Sequence, residues 1–594
     1  MTLPLATAPQ PRRSRPVELI LTLAFTWLAA LFPGTGVLAQ ATMPDEVLDA
    51  ETLSLSSDLR VHVRLGREVE LNVRATADDS YESLARRVAG DEKASVAIAA
   101  CNDERPVAED QWVRVPLALV SRDFRVLVLV SLFPRDHREG EDWIHVAHEG
   151  RLPTFDAGLW EVAEWFTGRG DTFDELMATN DISSPEMRSG QTIRIPSALL
   201  HPAFRNGMVS PDGTLEYDSD EDGPFAAYRL KPGEALYSAV VVRYTGRTKA
   251  ADVVAIAEQI RERSGIRDLR DIPVGYKVKI PLDLLEPEFL PSGHPRRLEA
   301  EAARKELEAE LARQPVTAAR HGLEGVVVIL DPGHGGRDLG TMNHGIWEHD
   351  YVYDVTCRLK QRLESQTGAK VYLTLEDEKT GCVPSRTDKL KANRQGTVQT
   401  HPPFLAKENG EARIGVNLRW YLANSIYRRE VSAGIDPDKI VFLSIHADAR
   451  HPSLAGVMVY VPGATYIGKT HGFKSRTYTR YAEVREKQYV SFSKKQRIRS
   501  EAVSQKFGEE IVRTFRSEGL PVQPYRPVRN RIIRGRSIFV PAVLRGNAVP
   551  TKVLVEMVNV SNSRDAALLA SARDRDRLAD ALYQALFGYF GSSR

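Results

Sequence analysis

Five consecutive apolar residues, Val326, Val327, Val328, Ile329 and Leu330, most of them β-branched, predict a short buried strand. The turn Asp331-Pro332-Gly333 follows and leaves His334 where the strand ends. The period then changes. Val352, Val355, Leu359 and Leu363 recur at helical spacing, so a helix opens at Glu348 and carries that carboxylate in its first turn, on the side of its buried face. Two later stretches repeat the pattern of apolar strand and polar end. Lys439 to Asp448, KIVFLSIHAD, runs into His446, and Thr551 to Asn562, TKVLVEMVNVSN, runs into Glu556. Strands alternating with helices predict an α/β domain, a mixed sheet flanked by helices, and in open sheets of that kind chemistry collects at the carboxyl ends of the strands.

Upstream, a different pattern recurs. Val113-Arg114-Val115-Pro116, Ile193-Arg194-Ile195-Pro196 and Val278-Lys279-Ile280-Pro281 share an apolar, basic, apolar, proline order, each preceded by helical stretches that begin at Tyr81, Leu159 and Leu236. The order strand, helix, helix, strand predicts small βααβ modules over 67–135, 145–205 and 226–290, the first the most divergent. A step of about 80 residues is too long for a tightly stacked solenoid and predicts separate modules. Asp218, Asp220, Glu221 and Asp222, followed by Pro224, read as a solvated linker between the second and third. Residues 296–320, opening with RRLEAEAARKELEAELAR, predict a helical linker with only Leu298, Ala302, Leu307 and Leu311 as an apolar side. The α/β domain then occupies 323–594.

At 594 residues the chain exceeds one hydrophobic core, which agrees with several domains. Its formal net charge of +1 points to no bulk electrostatic partner and predicts no nucleic acid among its ligands. The first 41 residues read as a secretory signal peptide: Arg12, Arg13 and Arg15 precede an apolar run from Leu19 to Phe32, and small residues around Ala39 and Ala41 suit cleavage. The run is short of the roughly twenty residues that span a bilayer, although an uncleaved anchor stays open. Three cysteines, Cys101, Cys357 and Cys382, make no disulfide framework, and a single bridge between Cys357 and Cys382 is open.

A lone histidine after a strand is usually a hydrogen-bonded loop residue, and a glutamate opening a helix is usually a dipole-favoured charge. Glu556 inside an apolar run is harder to dismiss, because a buried carboxylate without a partner is costly or protonated. Taken in order, DPGHGG, the Trp347-Glu348-His349-Asp350 helix start, SIHAD and VLVEMVNVSN resemble the four successive motifs of the zinc-dependent N-acetylmuramoyl-L-alanine amidases, which cut peptidoglycan stem peptides from glycan strands. The resemblance implies Zn2+ ligands His334, Glu348 and His446, and Glu556 as the catalytic carboxylate. The βααβ units resemble LysM modules, which implies binding of N-acetylglucosamine-containing glycan, with Trp160, Trp165 and Tyr237 as candidate stacking aromatics. The expectation is therefore a zinc hydrolase of the muramoyl–L-alanine amide bond in cell-wall remodelling or cell separation, exported to a periplasm or cell-wall compartment, with peptidoglycan as partner. A protein activator and the oligomeric state stay open.

Two departures from the family pattern stand out. About thirty polar-rich residues, 380–412, separate the strand Val371 to Leu375 from the helix Val416 to Asn424, which carries Arg419 and Asn424 in matching places. Residues 463–499 are strongly basic and read as a solvated loop, with an anionic wall polymer or a regulator as its other candidate roles. Asp331 and Asp448 lie near enough in sequence to orient the ligand histidines. Metal chemistry alone would also admit iron, and the competing classes are a wall-binding or partner-regulated protein without activity and a zinc peptidase acting on stem peptides.

Overall fold

The computed structural model describes residues 50–64, 67–152, 158–204, 208–210, 212–313 and 322–591. The expected signal segment and residues 314–320 of the expected linker lie outside them. Each of the three upstream units has the βααβ order. Glu68–Arg74 pairs antiparallel with Trp112–Pro116, Asp142–Val146 with Thr192–Ile195, and Gly223–Arg229 with Lys277–Pro281. One joint recurs in all three. A side chain at the end of the second helix grips the basic residue of the closing strand: Asn102 takes Arg114 N at 2.9 Å, Asn180 takes Arg194 N at 2.7 Å, and Ser264 takes Lys279 N at 2.8 Å. Pairing the strand's central backbone group in this way is why the polar residue recurs before each closing strand.

Two expectations for this region need correction. The units are not separate, because one continuous hydrophobic core runs through all of them. The helix Arg122–Leu132 joins the first two: its buried Arg125 donates to the carbonyls of Leu117 and Trp165 at 3.2 and 3.0 Å. The acidic stretch is not a linker either. Glu216–Asp220 is a strand of the third module's sheet, and Arg263 and Lys279 hold Asp220, lowering its pKa to about 2. Ahead of the first module the strand Ala50–Ser54 pairs with Leu59–Arg64.

The C-terminal domain is built on strands β1 (Val327–Pro332), β2 (Lys370–Leu373), β3 (Ile440–His446), β4 (Met458–Tyr460), β5 (Val528–Arg529) and β6 (Thr551–Glu556). They form one sheet in the order β2-β1-β3-β6-β4-β5, mixed because β4 runs antiparallel to β6. Helices α1 (Glu348–Gln366), α2 (Ala412–Ser432), α3 (Lys494–Ser517) and α4 (Ala572–Gly591) cover both faces. Alternate residues divide between the two cores: Val328, Leu330, Val441 and Leu443 pack with α1, α3 and α4, while Val327, Ile329, Ile440 and Phe442 pack with α2. Burial on both sides explains why the strands read as unbroken apolar runs.

The basic insertion is folded rather than a loose loop. Its Tyr478, Tyr481, Val484 and Val490 join the α2-side core, and Glu483 accepts His401 N at 3.0 Å. Its charges face outward, with Lys474, Arg476 and Lys487 exposed. The other insertion is stitched to α1 by the Cys357–Cys382 disulfide, with Cα atoms 5.2 Å apart, and to α4 by Arg575, whose guanidinium donates to Thr387 and Asp388 carbonyls. The helix Pro295–Arg313 packs on α3, with Lys506 Nζ donating to Leu311 O at 3.1 Å and Lys494 paired to Glu306 at 2.9 Å.

Candidate metal centre

The centre lies at the carboxyl ends of β1, β3 and β6. After β1 the chain turns sharply, and His334 adopts a positive φ of 67°, a conformation rare outside glycine. The glycines around it leave room for the ligating groups. A Cβ on Gly333 would stand 2.6 Å from His446 Nδ1, and one on Gly340 would stand 2.6 Å from Glu348 Oε2. Glu348 opens α1 with its side chain 3% exposed, and two backbone amides fix it: Thr341 N donates to Oε2 at 3.0 Å and Ala447 N to Oε1 at 3.1 Å.

The structure brings all three expected ligand residues together. Glu348 Oε1 lies 3.1 Å from His334 Nε2 and 3.2 Å from His446 Nδ1, and one donor atom from each residue falls within 4.8 Å of the others. Nitrogen and oxygen ligands at about 2.0–2.1 Å in a tetrahedron stand about 3.3 Å apart, so these two spacings are compatible with a shared small metal ion. The charges agree with the spacing. Burial opposes a charge on His334, yet Glu348 and Asp338 push its pKa up to about 10. Burial also opposes ionisation of Glu348, yet the two histidines hold its carboxyl well below the usual range. The point where the donors converge therefore favours a cation.

Glu556 ends β6 directly opposite His446 in the parallel register. It is 6% exposed, and its Oε2 is buried without a hydrogen-bond partner. Burial first, then the charges of Asp448 and Glu348, raise its pKa well above the ordinary glutamate value. A proton-hungry carboxylate beside a cation-favouring triad can exchange protons with a water or an amine held between them.

The two aspartates expected to orient the histidines do other work. Asp331, fully buried, accepts from Thr374 and from Ser444 Oγ at 2.7 Å and lies 3.5 Å from Arg419, tying β1 to its neighbours. Asp448 receives Lys249 Nζ from the third module, at 2.5 and 2.6 Å to its two oxygens. The partner of His334 is Asp338, whose Oδ1 lies 2.9 Å from Nδ1 and so leaves Nε2 to face Glu348. The spacing His334-x-x-x-Asp338 across a glycine turn was the available signal for it; nothing in the sequence marks Lys249. The 380–412 insertion supplies Gly396, Val398, Phe404 and Ala406 to the wall of a narrow cleft of about 10 Å³ that His334 and Asp338 also line. Of the three candidate stacking aromatics, Trp165 is buried at 4%, Tyr237 packs on His451 at a ring distance of 4.5 Å, and Trp160 stays 50% exposed.

The sequence model of the Amidase_3 family, N-acetylmuramoyl-L-alanine amidase, matches residues 328–401 and 421–587, a span that contains His334, Glu348, His446 and Glu556. The germination-specific N-acetylmuramoyl-L-alanine amidase of Bacillus subtilis (strain 168) is 29% identical over 111 residues, 18% of this chain and 46% of that protein, so the chain spans less than half the length of this relative. Among solved structures, the N-acetylmuramyl-L-alanine amidase Ami1 of Mycobacterium smegmatis aligns with 46% of this chain and 100% of its own, at 20% identity and a TM-score of 0.28. The CwlD amidase of Clostridioides difficile, solved in complex with the GerS lipoprotein, aligns with 45% of this chain and 100% of its own, at 20% identity and a TM-score of 0.27.

Proposed function

We propose that the domain carrying the Amidase_3 match is a zinc hydrolase that cleaves the amide bond between the lactyl carbonyl of N-acetylmuramic acid and L-alanine in peptidoglycan. The observation that carries this reading is the convergence of His334, Glu348 and His446 beside Glu556, with ligand spacings of 3.1 and 3.2 Å. Three protein donors leave one position open, the pattern of catalytic rather than structural zinc. A zinc ion held by His334, Glu348 and His446 would supply Lewis-acid polarisation of a carbonyl and a water whose pKa falls toward about 7. The rest is done by the chain's own residues. Asp338 fixes the His334 ring, and the amides of Thr341 and Ala447 fix the Glu348 carboxylate. Glu556 takes the proton of the attacking water and returns it to the departing L-alanine nitrogen, a task that suits its raised proton affinity. The hydrolytic role of this carboxylate is what favours zinc over iron.

The first 41 residues serve export, placing the enzyme in a periplasm or cell-wall compartment and in wall remodelling. The βααβ modules hold the glycan strand, with Trp160 as the exposed ring. The test is Glu556→Ala. The variant should keep one equivalent of zinc and its glycan binding while losing release of stem peptides; full activity would overturn the role given to Glu556.

A further inference from the structure

The third module is seated on the rim of the metal centre. Arg529, on β5, donates to Gly246 O at 2.8 Å, His451 N donates to Thr248 O at 3.1 Å, and Arg526 meets Glu286 at 2.6 Å. Glu286 is 5% exposed, so it is a buried anchor at the far side of this contact. Lys249, immediately before the helix Ala250–Ser264, holds both oxygens of Asp448, two residues beyond His446 on the same strand end. A residue 199 positions away in sequence thus sets an ammonium on Asp448, near enough to Glu556 to favour its charged form.

Docking alone does not call for this arrangement, since Glu286 and the backbone bonds already hold the module. Without Lys249, Asp448 would add an unpaired carboxylate to the charge that Glu348 already places beside Glu556. We propose that Lys249 is a positioning residue of the active site: it holds and neutralises the Asp448 carboxylate that would otherwise stand unpaired beside Glu556. The inference rests on the amidase reading and adds a residue that the catalytic domain does not itself contain.

The test compares the full-length chain with Lys249→Met, Lys249→Arg and Lys249→Gln on purified peptidoglycan, counting new L-alanine amino termini. Lys249→Met should keep its zinc and its melting temperature yet lose about 10- to 100-fold in kcat, as misplacement in a reacting pocket does, with KM moving much less. Lys249→Arg should recover a large part of the loss, and Lys249→Gln should substitute if the methionine variant does not fold. Wild-type kcat in Lys249→Met, or a gain in activity because the lysine bars the substrate, would overturn the inference. So would an arginine variant no better than methionine. A wild-type chain that releases no such termini would instead refute the amidase reading, and this inference with it.

Discussion

Replacing Asp338 by alanine removes the one side chain that holds His334 Nδ1. The bond is 2.9 Å long, and burial is outweighed by His334 in keeping the carboxyl below its ordinary pKa, so the acceptor is charged. A hydrogen bond to a charged group contributes about 1.5–3 kcal/mol, which converts to about a 10- to 150-fold change in an equilibrium constant. Loss of such a partner to a ligating histidine weakens metal binding by about 10- to 100-fold, so the two routes agree. Asp338→Asn keeps an acceptor oxygen without the charge and should fall near the lower end. Competition with a chromophoric chelator measures zinc affinity in all three proteins, and melting curves report whether the glycine turn survives, because Asp338 also accepts Gly340 N at 3.3 Å. If both variants bound zinc as tightly as the wild type, Asp338 would not set the orientation of His334, and the assignment of Nε2 to the metal would lose its basis.

Lys552 is fully buried, donating to Ser500 Oγ at 2.6 Å and Val549 O at 2.9 Å, and burial lowers its pKa to about 7. The unfolded chain binds this proton up to about pH 10.5, so stability should rise as pH climbs from about 7 to about 10.5, and the penalty, of order 5 kcal/mol at most, is fully present below 7. Lys552→Met should therefore melt higher than wild type at pH 6–7 and show a flatter pH dependence above it; a lower melting temperature with an unchanged slope would refute this. The disulfide closes a loop of 25 residues, for which the chain-entropy relation gives about 3.5 kcal/mol. Cys357→Ser with Cys382→Ser should lower the melting temperature by several degrees while zinc binding persists, and an unchanged melting temperature would show that the other ties of the 380–412 segment suffice.

The four motif residues were legible because each sits where an apolar strand stops or a helical period starts, and the sheet places those points together. Elements that depend on distant partners were not. Asp220 reads as linker until Arg263 and Lys279, 43 and 59 residues away, are brought to it. The 463–499 segment reads as solvated because its charges dominate the composition, whereas four apolar side chains among them, Tyr478, Tyr481, Val484 and Val490, bury it on α2. The modules read as separate because the pattern repeats, but the apolar helix Arg122–Leu132, beyond the closing strand of the first module, merges their cores. Asp331 and Asp448 were near the histidines in sequence, yet the positive φ at His334 turns its ring toward Asp338 instead. Lys249 carries no local signal, since only docking of the third module gives it a partner.

The most direct measurement is product analysis of purified peptidoglycan digested by the mature chain, with and without a chelator. The account predicts intact glycan strands and free stem peptides with L-alanine amino termini, lost on chelation and restored by zinc. Cuts inside the stem peptide, or release that persists without metal, would contradict it.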